Sequence, residues 1–153
     1  MPAEVRTYVE PLAQAHAPWP ALERCVATAY QEFTMTEEAA RWLQRAAQSA
    51  PYDIGLKVEA AEWTGRAGDS AGEVELLREA DALQPGREDL QRLLAIALLR
   101  AGDPDGRARV EALLVEHPED AELADLLKSG PAPRPEALPP GLHGEHGPDE
   151  PHR

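Results

Sequence analysis

The sequence predicts an all-α protein made of helix pairs stacked one after another, and three observations carry that expectation. Ala, Leu, Glu, Arg and Gln dominate the chain, while Val, Ile and Phe are scarce and Asn is absent, a composition of helix formers rather than strand formers. Between punctuating prolines and glycines, apolar side chains recur at spacings of three and four, not two. The chain also repeats itself: positions 66–69 and 100–103 both read RAGD. Pro51 with Pro85, Leu56 with Leu90, Ala61 with Ala95 and Gly72 with Gly106 keep the same offset, and Pro118 falls one position short of it after Pro85.

Taken in order, the first element is a helix over 3–15 in which Pro11 must kink or split the chain, because proline lacks an N–H and its ring meets the carbonyl four residues back. Helices follow over 20–33 and 37–49, with Thr34 and Thr36 as two candidate N-caps between them. The next pair is 54–67 and 71–84. Its second helix opens on Ser70 with Glu73 three residues later, the spacing of a capping box. The third pair is 88–101 and 104–116, where Asp103 supplies a cap and Pro104 a first-turn proline. A closing helix over 119–128 ends at Gly130. Gly68 and Gly102 are expected at equivalent turns with positive φ. This gives an N-terminal helix in 1–19, a repeat domain over 20–128 with units 20–53, 54–87 and 88–120, and a tail over 129–153. Seven prolines and four glycines fall in that tail, which is expected to be disordered.

Length and charge bound the function. One domain of this size can bury a core without disulfides. The 28 acidic residues against 15 basic ones give a net charge of -13, which argues against nucleic acid as a partner. The single cysteine, Cys25, excludes an intramolecular disulfide and a cysteine-rich zinc site. No segment reads as a signal peptide or a membrane span, so a cytoplasmic, soluble protein is expected.

With these positions in hand, the repeats resemble the tetratricopeptide repeat family, whose 34-residue helix-turn-helix unit reads W-x2-L-G-x2-Y, then A-x3-F, then P. In the first unit Val26, Ala27, Tyr30, Ala39, Leu43 and Pro51 fall on the family's places, and Glu23 replaces the tryptophan. In the second, Ala60, Ala61, Leu77, Ala80 and Pro85 fit, whereas Thr64 and Glu73 depart. The third keeps Leu94, Ala95, Leu98, Val110 and Pro118, with Gly106 where the second helix usually has Ala. The resemblance implies a right-handed superhelix of antiparallel helix pairs with a C-terminal capping helix, and a concave groove lined by the first helix of each pair.

Carried over to these positions, the groove takes Arg24, Cys25, Thr28 and Gln31 from the first unit, and Val58, Glu59, Glu62 and Arg66 from the second. The third unit's first helix buries Leu90, Leu94, Ala97, Leu98 and Ala101 on one face. Leu93, Ile96 and Leu99 step by three along another stripe. That stripe either faces the groove or is covered by the final helices or a dimer partner.

The chemistry-bearing residues do not converge in the sequence. Cys25 has no histidine placed to activate it, the carboxylates sit on polar faces and helix starts, and Gly65, Gly68 and Gly72 lack the lysine of a phosphate loop. His143, His146 and His152 are weak candidates for metal capture from the tail. Trp19, Trp42 and Trp63 read as packing residues. The expected function is therefore a non-enzymatic adaptor without a cofactor. Leu93, Ile96 and Leu99 would bury apolar residues of a protein or peptide, oriented by Arg24, Arg92, Glu59, Glu62 and Arg66. The alternatives are a homodimer or structural assembly subunit and a weak metal buffer using the tail.

Overall fold

The computed structural model describes residues 2–130, and every regular element among them is helical. The expectations for the tail beyond Gly130, including His143, His146 and His152, lie outside the described residues. No helix among the described residues is long and apolar enough to cross a membrane.

The N-terminal element runs as α1 (Pro2–Glu4), a π-helical turn (Val5–Val9) and α2 (Glu10–Ala15). Its wide turn stands just before Pro11, whose ring would otherwise press on the Thr7 carbonyl of a regular helix. The proline thus loosens the helix without splitting it. Three pairs follow: α3 (Pro20–Glu32) with α4 (Thr36–Ser49), α5 (Ile54–Arg66) with α6 (Ser70–Leu83), and α7 (Glu88–Arg100) with α8 (Pro104–Glu116). The last helix is α9 (Ala121–Ser129). Consecutive helices supply the main packing, so α3 meets α4, α4 meets α5, and so on to α9.

The period in the sequence is a repeat of backbone conformation, not only of letters. Within each pair the turn ends with Thr34, Gly68 or Gly102 at φ 54°, 93° and 76°. The next residue in each case, Met35, Asp69 or Asp103, donates its N–H to the carbonyl of Tyr30, Thr64 or Leu98 at 2.9, 3.1 and 3.0 Å. That six-to-one bond and left-handed residue close a helix end in the Schellman manner. Between pairs, Ala50, Gln84 and His117 leave the α region with φ of -126°, -143° and -128°. Each precedes a proline, Pro51, Pro85 or Pro118, and proline disfavours the α region in its predecessor.

Two caps differ from the sequence expectation. Asp69, not Ser70, caps α6, its side chain accepting from the Gly72 N–H at 2.8 Å. Glu73 is buried, with its carboxylate beside Gly65 in the last turn of α5. Neither threonine caps α4, because Met35 holds that position and Thr34 is spent on the left-handed turn. Asp103 does cap α8, accepting from the Asp105 N–H at 2.9 Å with Pro104 in the first turn.

The core is distributed along the stack. One cluster joins the N-terminal element, α3, α4 and the start of α5 around Tyr30, Trp42 and Leu43. A second joins α5, α6 and α7 through Ala61, Leu77 and Leu94, and a third joins α7, α8 and α9 through Ile96, Val110 and Leu123. Leu90, Leu94, Ala97 and Leu98 are buried as expected, but Ala101 is exposed, because it caps α7 where the chain turns outward. Among the glycines, Gly106 in α8 meets a neighbouring backbone most closely, since an added Cβ would stand 2.3 Å from the Leu99 backbone nitrogen. Glycine at this position is thus a packing requirement, since alanine would push the helices apart. Trp42 is buried and Trp63 half-buried, but Trp19 is exposed and stacks edge-on against His16.

Candidate functional site

Helices α3, α5 and α7 bring the expected polar groove residues together in three groups. At one end, the Arg24 guanidinium on α3 lies 3.2 Å from the Glu59 carboxylate on α5. Gln31 donates to the same carboxylate at 3.3 Å. Arg24 and Gln31 stand two turns apart along one face of α3, so both reach one acidic group on the neighbouring helix. Thr28, between them, is exposed and donates its hydroxyl to the Arg24 carbonyl at 3.0 Å. Cys25 is exposed beside this group.

Glu62 and Arg66 pair along α5 at 2.7 Å, one turn apart, and Arg66 lies 4.7 Å over the Trp63 ring. Both charges are more than half exposed, so the pair orients side chains more than it stabilises the fold. Val58 is half-buried in the second core cluster and does not belong to the exposed surface.

At the other end, Arg92 on α7 bridges to α9, 3.1 Å from Asp120 and 2.6 Å from Glu122. Asp120 is also the cap of α9, accepting from the Leu123 N–H at 3.1 Å. The Arg92 guanidinium and that amide hold the Asp120 carboxyl below its ordinary pKa, and the two carboxylates raise Arg92 in return. Arg92 thus acts as a clasp between helices.

The apolar stripe is where the structure corrects the sequence reading. Leu93 is 37 % exposed, but Ile96 is only 5 % and Leu99 only 8 % exposed. Both pack in the third core cluster with Val110 and Leu123, against Leu113, Leu114, Leu126 and Leu127. Helices α8 and α9 cover them, so they are core residues and not part of an exposed anchor. Of the three, Leu93 alone remains available.

Sequence reasoning also passed over a set of polar interior residues. Glu23 is buried, accepting from the Trp19 N–H at 3.0 Å and the Ser49 hydroxyl at 2.6 Å. Lys57 is buried and paired with Glu79 at 2.7 Å, and Thr64 is buried and accepts from Gln44 at 2.8 Å. The signal was present, since Glu23 and Lys57 stand one repeat apart. Glu10 plays a similar part at the N-terminal element, where one oxygen accepts from the Tyr30 hydroxyl and from the Trp42 indole. Burial, and then the bond to Glu10, raise the Tyr30 pKa above its ordinary value.

Among the described residues no three metal-ligating side chains come together. The exposed faces of α3, α5 and α7 offer paired charges, hydroxyl and amide groups and one leucine, an arrangement that suits surface recognition. No protein-family model matches the chain, and no curated protein matches it in sequence.

Proposed function

We propose that the chain is a tetratricopeptide-like right-handed superhelix and a non-enzymatic adaptor that holds a peptide or helix of a partner protein along α3, α5 and α7. The observation that carries this reading is the threefold repetition of turn conformation at Thr34, Gly68 and Gly102 with the same closing hydrogen bond. Equivalent turns joining helices of near-identical length favour a regular stack, and a regular stack presents its first helices side by side. In this reading Leu93 supplies apolar contact, while Thr28, Glu59, Glu62 and Arg66 orient the partner. Arg24 and Arg92 do so less freely, because each already bridges two helices.

The test is affinity purification from the native cell with wild-type chain and two variants, Leu93→Asp and Arg66→Glu, each checked for unchanged helicity. A partner enriched by wild type and lost with Leu93→Asp supports the groove. Retention of every enriched partner by both variants places recognition elsewhere and removes this site.

A second reading, self-assembly, is favoured by the N-terminal element. Its helical span 2–15 stands one repeat before 36–49 and so corresponds to the second helix of a pair. Tyr8 and Leu12 correspond to Trp42 and Ala46, which are buried, yet they are 69 % and 52 % exposed. An exposed tyrosine and leucine on one helix face favour contact with another helix. Mass measured at about 10 μM, within the range in which moderate dimers form, separates the readings: a dimer dissociated by Tyr8→Glu supports assembly, and a monomer argues against it.

A further inference from the structure

Between the N-terminal element and α4 lies an open cleft of about 280 Å³. Arg6 enters it from one side, and Arg41 and Arg45, one turn apart on α4, from the other, with Glu10, Glu38 and Gln14 also on its walls. Several arginines elsewhere are closely satisfied: Arg24–Glu59 at 3.2 Å, Arg66–Glu62 at 2.7 Å, Arg92–Glu122 at 2.6 Å, Arg109–Asp105 at 2.7 Å. The cleft departs from that pattern. Arg6 reaches Glu38 only at 3.5 Å, Arg45 reaches the buried Glu23 only at 3.9 Å, and Arg41 has no ion pair or hydrogen bond among the described residues. Arg78 and Arg100 share that lack, but neither lines the cleft.

Two of the three guanidinium groups are oriented by rings. Arg45 lies 4.5 Å over Trp42, and Arg6 lies 6.0 Å over Tyr30. The rings are themselves fixed, because the Trp42 indole and the Tyr30 hydroxyl both donate to Glu10. A stacked guanidinium keeps its N–H edge free for an in-plane acceptor. In an acidic chain, three guanidinium groups lining one cleft, with Arg6 also drawn to the Tyr30 hydroxyl, favour an anion there.

We propose that this cleft binds a phosphoryl group carried on a small ester or on a phosphorylated side chain. Three guanidinium groups from two walls match its three acceptor oxygens, and in the cleft they outnumber the carboxylates of Glu10 and Glu38. The cleft has room for the phosphoryl group and the few atoms that bear it.

The experiment is an NMR titration of the full chain, following the Trp42 indole and arginine side-chain N–H signals. The titrants are inorganic phosphate, a blocked pentapeptide with one phosphoserine, and the same peptide with glutamate in its place. Saturable shifts with phosphate or phosphopeptide are expected. Arg41→Gln should weaken them about tenfold, the effect of losing one charged hydrogen bond, without changing the circular dichroism, while Arg78→Gln should leave them as they are. Equal strength for phosphate and phosphopeptide points to a small ester, and tighter phosphopeptide binding to a protein source. No saturable shift with either, equal binding of the glutamate peptide, an unaffected Arg41→Gln, or an equal loss in Arg78→Gln would each overturn the proposal.

Discussion

Lys57 and Glu79 meet at 2.7 Å between α5 and α6, and one repeat earlier the same two helix positions hold Glu23 and Arg45 at 3.9 Å with their charges exchanged. The repeat therefore keeps an inter-helix polar link while inverting its sign. The two members of the Lys57 pair are not equivalent, because Lys57 is buried and Glu79 half-exposed. Removing Glu79 leaves an ammonium out of water, so Glu79→Ala should lower stability by about 1–3 kcal/mol in urea unfolding. Lys57→Met leaves a carboxylate that water still reaches, and should stay within about 1 kcal/mol of wild type. Equal losses would show that both charges are equally desolvated.

Thr34 has φ 54°, where its two counterparts are Gly68 and Gly102. A β-branched residue in the left-handed region is strained, and glycine is not. Thr34→Gly should raise the unfolding free energy by about 1 kcal/mol. Gly102→Thr should do the opposite. If Thr34→Gly destabilises instead, the threonine hydroxyl contributes more to that turn than its backbone costs.

The covered stripe on α7 changes what charge substitution will do. Ile96→Asp and Leu94→Asp both bury an unpaired carboxylate, at a cost of several kcal/mol against a total stability of about 5–15 kcal/mol. Both should unfold the protein, whereas Leu93→Asp should keep its thermal midpoint within a few degrees. A folded Ile96→Asp protein would mean that α9 does not seal that face in solution.

Acid should act at the clasp between α7 and α9. The Asp120 carboxyl sits below its ordinary value of 3.8 because Arg92 and the Leu123 amide favour its charged form. The unfolded chain therefore takes up that proton first as pH falls. The clasp's contribution is complete at neutral pH and drains away as pH drops below about 4. Asp120→Asn keeps a capping side chain without the charge, so its urea midpoint should vary less than wild type's over that acid range. Parallel curves for the two proteins would remove Arg92 and Asp120 as a pH-sensitive link.

Much of the fold was legible because it is written in local chemistry. Pro85, Gly102 and Pro104 each act within a few residues of themselves, and they mark helix ends to within a residue or two. Ser70 misled for a related reason: the spacing to Glu73 is a local signal, but Asp69 stands one residue earlier and its carboxylate reaches the Gly72 amide. Thr34 gave no sign of positive φ, because that conformation is imposed by the helices the turn joins. Ile96 and Leu99 were misplaced because helical phase tells which residues share a face and not what covers it. Their cover comes from Leu123, Leu126 and Leu127, two helices further along the chain. Arg6 and Arg41 could not be paired from sequence for the same reason, since the cleft exists only once the N-terminal element lies against α4.

The division of the core into three successive clusters has a mechanical consequence. Each cluster packs mainly against the next, so compliance adds in series, as along a row of hinged plates, and the two ends can shift relative to each other by small adjustments at every seam. Gly106 lets the backbones of α7 and α8 approach closely, and the Arg92 clasp ties α7 to the start of α9. Flexure should therefore concentrate at the seam of α6 against α7, which is held together less extensively than α3 against α4 or α7 against α8.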